Sequence, residues 1–191
     1  MDLILLRHGE TIHNTQGKYS TDDCPLSDKG IYQIERAADK LQKMIIDRAW
    51  VSPLARTIET FGIIYKYHDY PFEIKDNIQE INAGDLRGLS FDEGQRLYPD
   101  QVNAYLKDPF KNPLPHGESI EEAYARAQRV LKEAKSYSGN ILLVSHGGFI
   151  ALMLAAVIGD INAYTRFDVA NGSFSLIKNG DYQRISYVNR I

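Results

Sequence analysis

Short runs of apolar residues divide the chain and predict buried strands. Residues 3–6 (Leu-Ile-Leu-Leu) and 141–144 (Ile-Leu-Leu-Val) are apolar at every position. Because strands that are buried on both faces carry such unbroken runs, we expect both to lie in the interior of a sheet. Residues 49–51 and the more polar residues 72–74 predict two further strands.

Between these strands the apolar residues recur at helical spacing. Residues 27–44 predict one helix, and Pro53 opens a second, because proline is favoured in the first helical turn. A capping box at Ser119 and Glu122 begins a third helix. Residues 147–158 are apolar on all sides, which predicts a buried helix. The core-facing positions expected in the first two helices are Ile31, Ile34, Ala38, Leu41, Ala55, Ile58 and Phe61.

Strands that alternate with helices predict an α/β fold with a mainly parallel sheet. We expect a three-layer sandwich with helices on both faces, formed by residues 1–191 as a single domain. Residues 173–177 and 182–188 flank Asn179-Gly180, a dipeptide favoured in tight turns, and predict an antiparallel hairpin at the edge of the sheet. Residues 82–117 do not follow the alternation of strand and helix, so we expect a short lid-like insertion above the sheet.

Composition narrows the class of protein. Of the 191 residues, 43% are hydrophobic and 25% charged, so the chain can bury a core and is not expected to be disordered. A single cysteine excludes an internal disulfide and a zinc site built from thiolates. The N-terminal apolar segment is too short for a signal peptide, and the longest apolar stretch is about half of the ~20 residues of a membrane span. We expect a cytoplasmic protein with no membrane partner, and its net charge of −3 gives no general attraction to nucleic acid.

Basic side chains follow the ends of three predicted strands. Arg7 and His8 come directly after the first strand, and His146 follows the strand near residue 144. Ligands of open α/β sheets bind beyond the carboxyl ends of the strands, so we expect these side chains to meet. Arg56 lies about one turn into the helix after a third strand. Two arginines and two histidines would repel one another without an anion, and phosphate suits the planar guanidinium groups best.

Other reactive residue types lack such a setting. A histidine after a strand is more often structural than functional, and His13, His68 and His116 have no second basic group at a matching strand end. Cys24 has no base or orienting group fixed beside it by spacing, which favours a packing role. The predicted phosphate site therefore depends on the two arginines and two histidines at the strand ends.

Six short motifs occur along the chain in order. They are Leu6-Arg7-His8-Gly9-Glu10-Thr11 followed by Asn14, Asn14-x-x-Gly17-Lys18, Pro25-Leu26-Ser27-Asp28-Lys29-Gly30, Ser52-Pro53-Leu54-Ala55-Arg56-Thr57-x-x-Thr60, Glu80-x-x-x-Gly84-x-x-x-Gly88, and Gly117-Glu118-Ser119 with Val144-Ser145-His146-Gly147-Gly148. Together they resemble the motifs of the histidine phosphatase superfamily, also called the phosphoglycerate mutase-like family, and within it the phosphatase branch. The resemblance covers nearly the whole chain, and its specificity comes from the order of the motifs.

The resemblance implies a reaction through phosphohistidine. His8 is then the nucleophile that attacks phosphorus, and its imidazole has an unprotonated nitrogen near neutral pH because the reference pKa of histidine is ~6.5. Arg7, Arg56 and His146 would surround the phosphoryl oxygens, and Asn14 would donate a further hydrogen bond. Positioning and charge stabilisation supply most of the catalysis in phosphoryl transfer.

Glu80 matches the family's proton donor. Its carboxyl group would protonate the leaving alkoxide, a step typically worth ~10²–10⁴-fold, and the carboxylate would then activate water. Thr21 and Gly147 are expected to contact the substrate, Thr21 through its hydroxyl and backbone and Gly147 through a backbone that passes close to the ligand. The resemblance implies no metal and no cofactor, since arginine and histidine carry the charge that Mg²⁺ carries elsewhere.

The chain departs from the family pattern where the rest of the substrate is expected. Residues 19–26 form a segment one residue shorter than in many members. Leu86-Arg87-Gly88 stands where phosphatase members often have Trp-Glu-Gly, so Arg87 brings positive charge near the mouth of the site. His116 stands where glycine is usual, and we expect it to belong to the loop rather than to the substrate site.

Three functions fit the resemblance. The favoured one is a phosphatase of a small phosphorylated metabolite, of the broad-specificity, α-ribazole-phosphate or sugar-phosphate type. A cofactor-dependent phosphoglycerate mutase is less favoured, because the chain is short and residues 104–111 contain no arginine pair. A non-catalytic phosphoprotein-binding module is also less favoured, because His8 and Glu80 are both present. The sequence determines neither the physiological substrate nor the oligomeric state.

Overall fold

A computed structural model describes residues 2–180 and 182–191. Six strands form one sheet: β1 (Asp2–Arg7), β2 (Arg48–Val51), β3 (Phe72–Ile74), β4 (Ile141–Ser145), β5 (Phe174–Lys178) and β6 (Arg184–Arg190). Their order across the sheet is β3-β2-β4-β1-β5-β6. The first four of these run parallel, whereas β5 and β6 are antiparallel to their neighbours, so the predicted mainly parallel sheet with an antiparallel hairpin is confirmed.

The pairing of β1 with β4 sets the position of the candidate site. The register runs from Leu3 opposite Ile141 to Arg7 opposite Ser145. The two strands therefore end at the same level, and the residues that follow them emerge side by side. β2 lies on the other side of β4, so a third strand end adjoins the same region.

Helices cover both faces of the sheet, which confirms the predicted three layers. The helices are α1 (Ile12–Thr15), α2 (Asp28–Leu41), α3 (Ala55–Tyr65), α4 (Phe91–Leu97), α5 (Pro99–Lys107), α6 (Ile120–Ala134) and α7 (Gly147–Ile158), with 3₁₀ turns at Asp76–Ile78, Gly84–Leu86 and Ile161–Arg166. Leu3 and Leu5 face the core under α6 and α7, whereas Ile4 and Leu6 face the core under α2 and α3. Successive residues of β1 thus enter opposite cores, which explains its unbroken apolar run.

Side-chain caps fix where the helices begin. The Ser119 hydroxyl accepts from the Glu122 backbone N–H at 3.2 Å, and the Glu122 carboxylate accepts from the Ser119 backbone N–H at 2.9 Å. This is the predicted capping box at the start of α6. Ser27 caps α2 in a similar way through the Gly30 backbone N–H. No helix within the described residues is long and apolar enough to cross a membrane.

Two predicted core positions are wrong: Ile31 and Ile58 are each 40% exposed. In α2 the buried position belongs to Gly30, where a Cβ atom would lie only 2.1 Å from the Glu10 carbonyl oxygen. In α3 the buried stripe passes through Thr57 and two later turns of the helix. The buried face of α2 is set by the close backbone approach at Gly30, and that of α3 includes buried threonines. The spacing of apolar residues along the sequence indicates neither feature.

Residues 82–117 add no strand to the central sheet, as expected. They contain α4 and α5, which surround a small core of Leu86, Val102 and Leu114. The Tyr19 backbone joins this segment to the loop after α1, because its N–H donates to the Leu89 carbonyl at 2.9 Å and its carbonyl accepts from the Gly88 N–H at 2.8 Å. The insertion is therefore tied to a second loop, and its action as a lid stays a prediction.

The C-terminal hairpin has a longer connection than predicted. β5 ends at Lys178 and β6 begins at Arg184, so the connection includes residues 179–183, whereas the predicted strands left residues 178–181 between them. Asp181 of this connection lies outside the described residues. β5 pairs with β1 as well as with β6, so only β6 forms the edge of the sheet here.

Candidate active site

The two strand-end histidines lie next to each other. His8 follows β1, and His146 follows β4 and forms the N-cap of α7. The His8 backbone N–H donates to the Ser145 carbonyl at 3.1 Å, which continues the sheet pairing into the site. The centres of the two imidazole rings are 5.2 Å apart, with the rings edge to face.

His8 is buried and has one defined ring partner. Its Nδ1 lies 2.7 Å from the Gly9 carbonyl oxygen. A carbonyl only accepts, so Nδ1 carries the proton of the neutral ring and Nε2 keeps its lone pair. Burial, followed by the charges of Arg56 and Arg7, lowers the pKa of His8 well below its ordinary value. The ring is therefore neutral at neutral pH, with Nε2 ready to act as a nucleophile.

His146 is completely buried and is held through its other nitrogen. Its Nε2 lies 2.8 Å from the Ser52 hydroxyl, whereas its Nδ1 has no hydrogen-bond partner among the described residues. Burial, followed by the charges of Arg56, His8 and Arg7, lowers its pKa well below the ordinary value. A neutral ring that accepts from Ser52 carries its proton on Nδ1, which makes Nδ1 a free donor.

Arg7 and Arg56 bring two guanidinium groups to the histidines. Arg7 donates from Nη1 to the Val169 carbonyl, and Arg56 donates from Nη1 to the Thr21 carbonyl at 3.0 Å. The Nε atom of each is buried and has no partner among the described residues. Burial lowers the pKa of both groups from the ordinary value, but arginine stays charged at neutral pH. Both residues lie on the cavity wall, so their positive charges favour an anion there.

Glu80 lies at the N-terminus of α7. Its carboxylate accepts backbone N–H bonds from Phe149 at 2.9 Å, from Ile81 at 3.1 Å and from Gly148 at 3.2 Å. The first turn of a helix is a favourable place for a negative group, because its N–H groups are unpaired and its dipole is positive there. Glycine at position 148 leaves room for this arrangement, since a Cβ atom would lie 2.9 Å from the Glu80 Oε1.

Asn14 lies on the cavity wall, and the oxygen of its side-chain amide is already hydrogen-bonded. Its Oδ1 accepts from the Thr11 backbone N–H at 3.1 Å and from the Asn171 side chain at 3.4 Å. These bonds orient the side-chain amide, and its N–H groups are the part left for a ligand.

Thr21 and Gly147 support the arginines rather than line the cavity. The Thr21 carbonyl accepts the bond from Arg56, so its backbone is already engaged. At Gly147 a Cβ atom would lie 3.1 Å from the Arg7 guanidinium carbon, which is closer than nearly all real contacts. Neither residue belongs to the cavity wall in this structure, and direct contact with substrate stays a prediction for both.

The departures from the family pattern have distinct positions. Arg87 lies on the cavity wall and donates from Nη1 to both carboxylate oxygens of Asp22 at 3.0 Å. The His116 side chain is 84% exposed, and its Nδ1 lies 2.9 Å from the Asp85 carboxylate. Cys24 is buried and has no disulfide partner.

Two residues of the site were not predicted. Ser52 begins one of the six motifs, but the sequence does not indicate a role for it. The structure shows its hydrogen bond to His146. Arg126 donates to the Glu118 carboxylate and to the carbonyls of Asn77 and Gln79, so it fixes the segment that precedes Glu80. The sequence does not identify Arg126, because it lies in the middle of a predicted helix, where its neighbours resemble those of an arginine on the surface.

Of the predicted site residues, His8, Glu80, Arg7, Asn14 and Arg56 line one cavity of about 620 Å³, within the range of small-molecule sites, whereas Thr21, His146 and Gly147 do not belong to its wall. Its wall consists of Arg7, His8, Asn14, Lys18, Tyr19, Ser20, Asp22, Leu54, Arg56, Asp76, Gln79, Glu80, Ile81, Asn82, Ala83, Arg87, Gly117, Glu118, Glu122, Arg126 and Arg129. Within residues 2–180 and 182–191, no three His, Cys, Asp or Glu side chains are grouped as metal ligands.

The fold and the cluster of two histidines and two arginines are those of a phosphoric monoester hydrolase, which confirms the predicted enzyme class. The sequence model of the histidine phosphatase superfamily (branch 1) matches residues 3–189, and the chain belongs to this family.

Individual relatives agree with this assignment. The chain is 31% identical over 179 residues to phosphoserine phosphatase 1 of Hydrogenobacter thermophilus, covering 92% of this chain and 85% of that protein. It is 30% identical over 155 residues to phosphoglycerate mutase-like protein 4 of Arabidopsis thaliana, covering 78% of this chain and 67% of that protein. The crystal structure of the alpha-ribazole phosphatase from Shigella flexneri superposes with a TM-score of 0.91 at 28% identity, covering 99% of this chain and 96% of that one.

Proposed function

We propose that this protein is a metal-independent phosphomonoesterase that acts on a small phosphorylated metabolite through a phosphohistidine at His8. One observation carries the proposal. His8 keeps its lone pair on Nε2 because the Gly9 carbonyl holds Nδ1, and it lines one cavity with Glu80 and the guanidinium groups of Arg7 and Arg56. Two guanidinium groups beside a neutral nucleophile suit a phosphoryl group, because their planar donors pair with its oxygens.

In the first step the Nε2 lone pair of His8 attacks phosphorus in line with the ester oxygen. A P–N bond forms while the P–O bond to the alcohol breaks. Arg7, Arg56 and His146, with the amide of Asn14, hold the three equatorial oxygens, on which charge is spread in the transition state. The carboxyl group of Glu80 gives its proton to the departing oxygen, so the product leaves as an alcohol.

In the second step Glu80 acts in the opposite sense. Its carboxylate takes a proton from water, the water oxygen attacks phosphorus, and the P–N bond breaks to restore the lone pair of His8. The three backbone N–H bonds to Glu80 hold the ionised carboxylate, which is the form that this step requires. Inorganic phosphate leaves, and Glu80 is protonated again for the next cycle.

The substrate types favoured from the sequence are broad-specificity, α-ribazole-phosphate and sugar-phosphate, and the name of the Hydrogenobacter relative adds phosphoserine. A mutase is less favoured, since residues 104–111 lack an arginine pair. A binding module is less favoured because His8 and Glu80 line the same cavity. The cytoplasmic location, the single domain and the absence of nucleic-acid binding stay predictions.

Hydrolysis of p-nitrophenyl phosphate tests the proposal. We expect activity without added metal and an unchanged rate in excess EDTA. A brief reaction with ³²P-labelled phosphomonoester, quenched in alkali, should leave an acid-labile label on the wild type and none on His8→Ala. A strict metal requirement, or a label on the His8→Ala protein, would refute the mechanism.

A further inference from the structure

Two ion pairs on the cavity wall neutralise four of its charged side chains. Arg126 donates from Nη2 to the Glu118 carboxylate at 2.6 Å, and both side chains are mostly buried, at 13% and 19% exposure. Arg87 and Asp22 form the second pair, with 3.0 Å from Nη1 to each carboxylate oxygen. These four charges cancel in pairs, and their hydrogen-bonding groups already have partners.

Apart from Arg7, Arg56 and Glu80 of the phosphate site, the remaining charges on the wall also sum to zero. Lys18 and Arg129 are positive, whereas Asp76 and Glu122 are negative, and among the described residues none of the four has an ion-pair partner. Glu122 is committed to the cap of α6, where Ser119 donates to it. Lys18 and Asp76 therefore provide one ammonium group and one carboxylate without an ion-pair partner on the wall outside the phosphate site.

This balance restricts the alcohol part of the substrate. A second phosphate, or a single carboxylate, would bring net negative charge to the part of the wall outside the phosphate site, which carries as many carboxylates as cationic groups. Like charges in such a cavity repel at close range, and rejection of a charged partner is a common source of specificity. A cavity of about 620 Å³ leaves room for a polar alcohol beyond the phosphoryl group.

We propose that the enzyme selects phosphomonoesters whose leaving alcohol carries no net charge, either uncharged and polar or zwitterionic, and discriminates against alcohols that carry a net charge of either sign. This inference rests on the proposed phosphatase function. It assigns the selection to the side chains on the cavity wall outside the phosphate site, with Lys18 and Asp76 as the two groups that set the balance.

Three substrates with nearly the same skeleton test the selection. Phosphoserine has a zwitterionic alcohol, 3-phosphoglycerate has an anionic one in which a hydroxyl replaces the ammonium group, and phosphoethanolamine has a cationic one without the carboxylate. We expect kcat/KM for phosphoserine to exceed that for either charged analogue by about tenfold, the ratio that one uncompensated charge near a solvated wall gives. Each compound is also measured as a competitive inhibitor of p-nitrophenyl phosphate hydrolysis, so the ranking is obtained even where turnover is slow.

Two charge-changing variants then shift the preference in opposite directions. Asp76→Asn leaves the wall with net positive charge and should raise the ratio of 3-phosphoglycerate to phosphoserine. Lys18→Gln leaves net negative charge and should raise the ratio of phosphoethanolamine to phosphoserine. The exposed residues Asp39 and Lys43, which are not on the cavity wall, provide the controls Asp39→Asn and Lys43→Gln, with unchanged ratios.

The outcomes separate the two proposals. If p-nitrophenyl phosphate is hydrolysed but a charged analogue equals or exceeds phosphoserine, the inference about the alcohol fails and the phosphatase function stands. Ratios that move together in both variants, or that move equally in the controls, would also overturn it. Failure to hydrolyse p-nitrophenyl phosphate would overturn both.

Discussion

At the scale of single residues, hydrogen-bond partners decide which nitrogen of each histidine is available. In His8 the Gly9 carbonyl accepts a hydrogen bond from Nδ1, which leaves the lone pair on Nε2. In His146 the Ser52 hydroxyl donates to Nε2, which leaves the N–H of Nδ1 as a donor. Burial is the largest cause of the lowered pKa of both rings, so both rings are neutral at neutral pH. Two chemically identical side chains thereby present different groups, a lone pair on Nε2 of His8 and an N–H at Nδ1 of His146.

Ser52→Ala should remove the partner that orients His146. We expect kcat/KM to fall about tenfold, the worth of one buried hydrogen bond, with a change in the pH profile as the ring loses its fixed tautomer. Ser145→Ala is the matched control, because Ser145 is equally buried and donates to the Ile78 carbonyl at 2.7 Å rather than to His146. Similar losses of thermal stability but different losses of activity are expected. Equal activity losses with parallel pH profiles would contradict a positioning role.

Glu80→Gln should reveal whether Glu80 gives a proton to the leaving group. The amide keeps one oxygen for the N–H groups of Ile81 and Phe149 but loses the bond from the Gly148 N–H, so the thermal stability of the variant is measured beside its activity. We expect the chemical step to slow ~10²–10⁴-fold for alkyl phosphates, which need protonation, and far less for p-nitrophenyl phosphate, whose leaving group does not. Single-turnover rates on the two substrate types measure the difference. Equal losses on both would argue against Glu80 as the donor.

At the scale of secondary-structure elements, the sequence predicts a helix or strand correctly where neighbouring residues determine it. The capping box at Ser119 predicted the start of α6, and unbroken apolar runs predicted the central strands. The outward positions of Ile31 and Ile58 were not predictable, because a close backbone approach at Gly30 determines the face of α2. The bond between Ser52 and His146 joins residues 94 positions apart, and no local pattern contains it.

The loop that carries His116 stores strain that a glycine would release. His116 has a φ of 54°, in the left-handed region where a Cβ atom is unfavourable. We expect His116→Gly to raise the free energy of unfolding by about 0.5–1 kcal/mol, after allowing for the greater freedom of glycine in the unfolded chain. Urea denaturation provides the measurement.

His116→Ala is the matched control for this loop. It loses the exposed contact with Asp85, as His116→Gly does, but keeps the unfavourable φ. An exposed ion pair contributes little, so the alanine variant should show no gain. A gain of the same size in both variants would assign the effect to removal of the imidazole rather than to the backbone.

At the scale of the whole molecule, net charge and local charge have opposite signs. The chain carries −3 overall, yet its phosphate site is built around Arg7 and Arg56 at the end of a parallel sheet. Acidic residues elsewhere give the chain its net negative charge, while the two arginines make the cavity locally positive. Composition alone therefore could not reveal the site, whereas the position of basic residues at strand ends could.

The two buried histidines should also shape the pH dependence of stability. In the unfolded chain they titrate near pH ~6.5, whereas the folded protein lowers the pKa of both. As the pH falls through ~6.5, the unfolded chain takes up protons that the folded protein does not, so the free energy of unfolding falls by up to about 1.4 kcal/mol per pH unit for each ring. We expect urea unfolding at pH 7.5, 6.5 and 5.5 to show this loss in the wild type and a much smaller loss in the His8→Asn/His146→Asn double variant. His68, whose pKa burial also lowers, is common to both proteins and cancels in the comparison. Parallel pH dependence in the two proteins would mean that His8 and His146 are not held neutral by the fold.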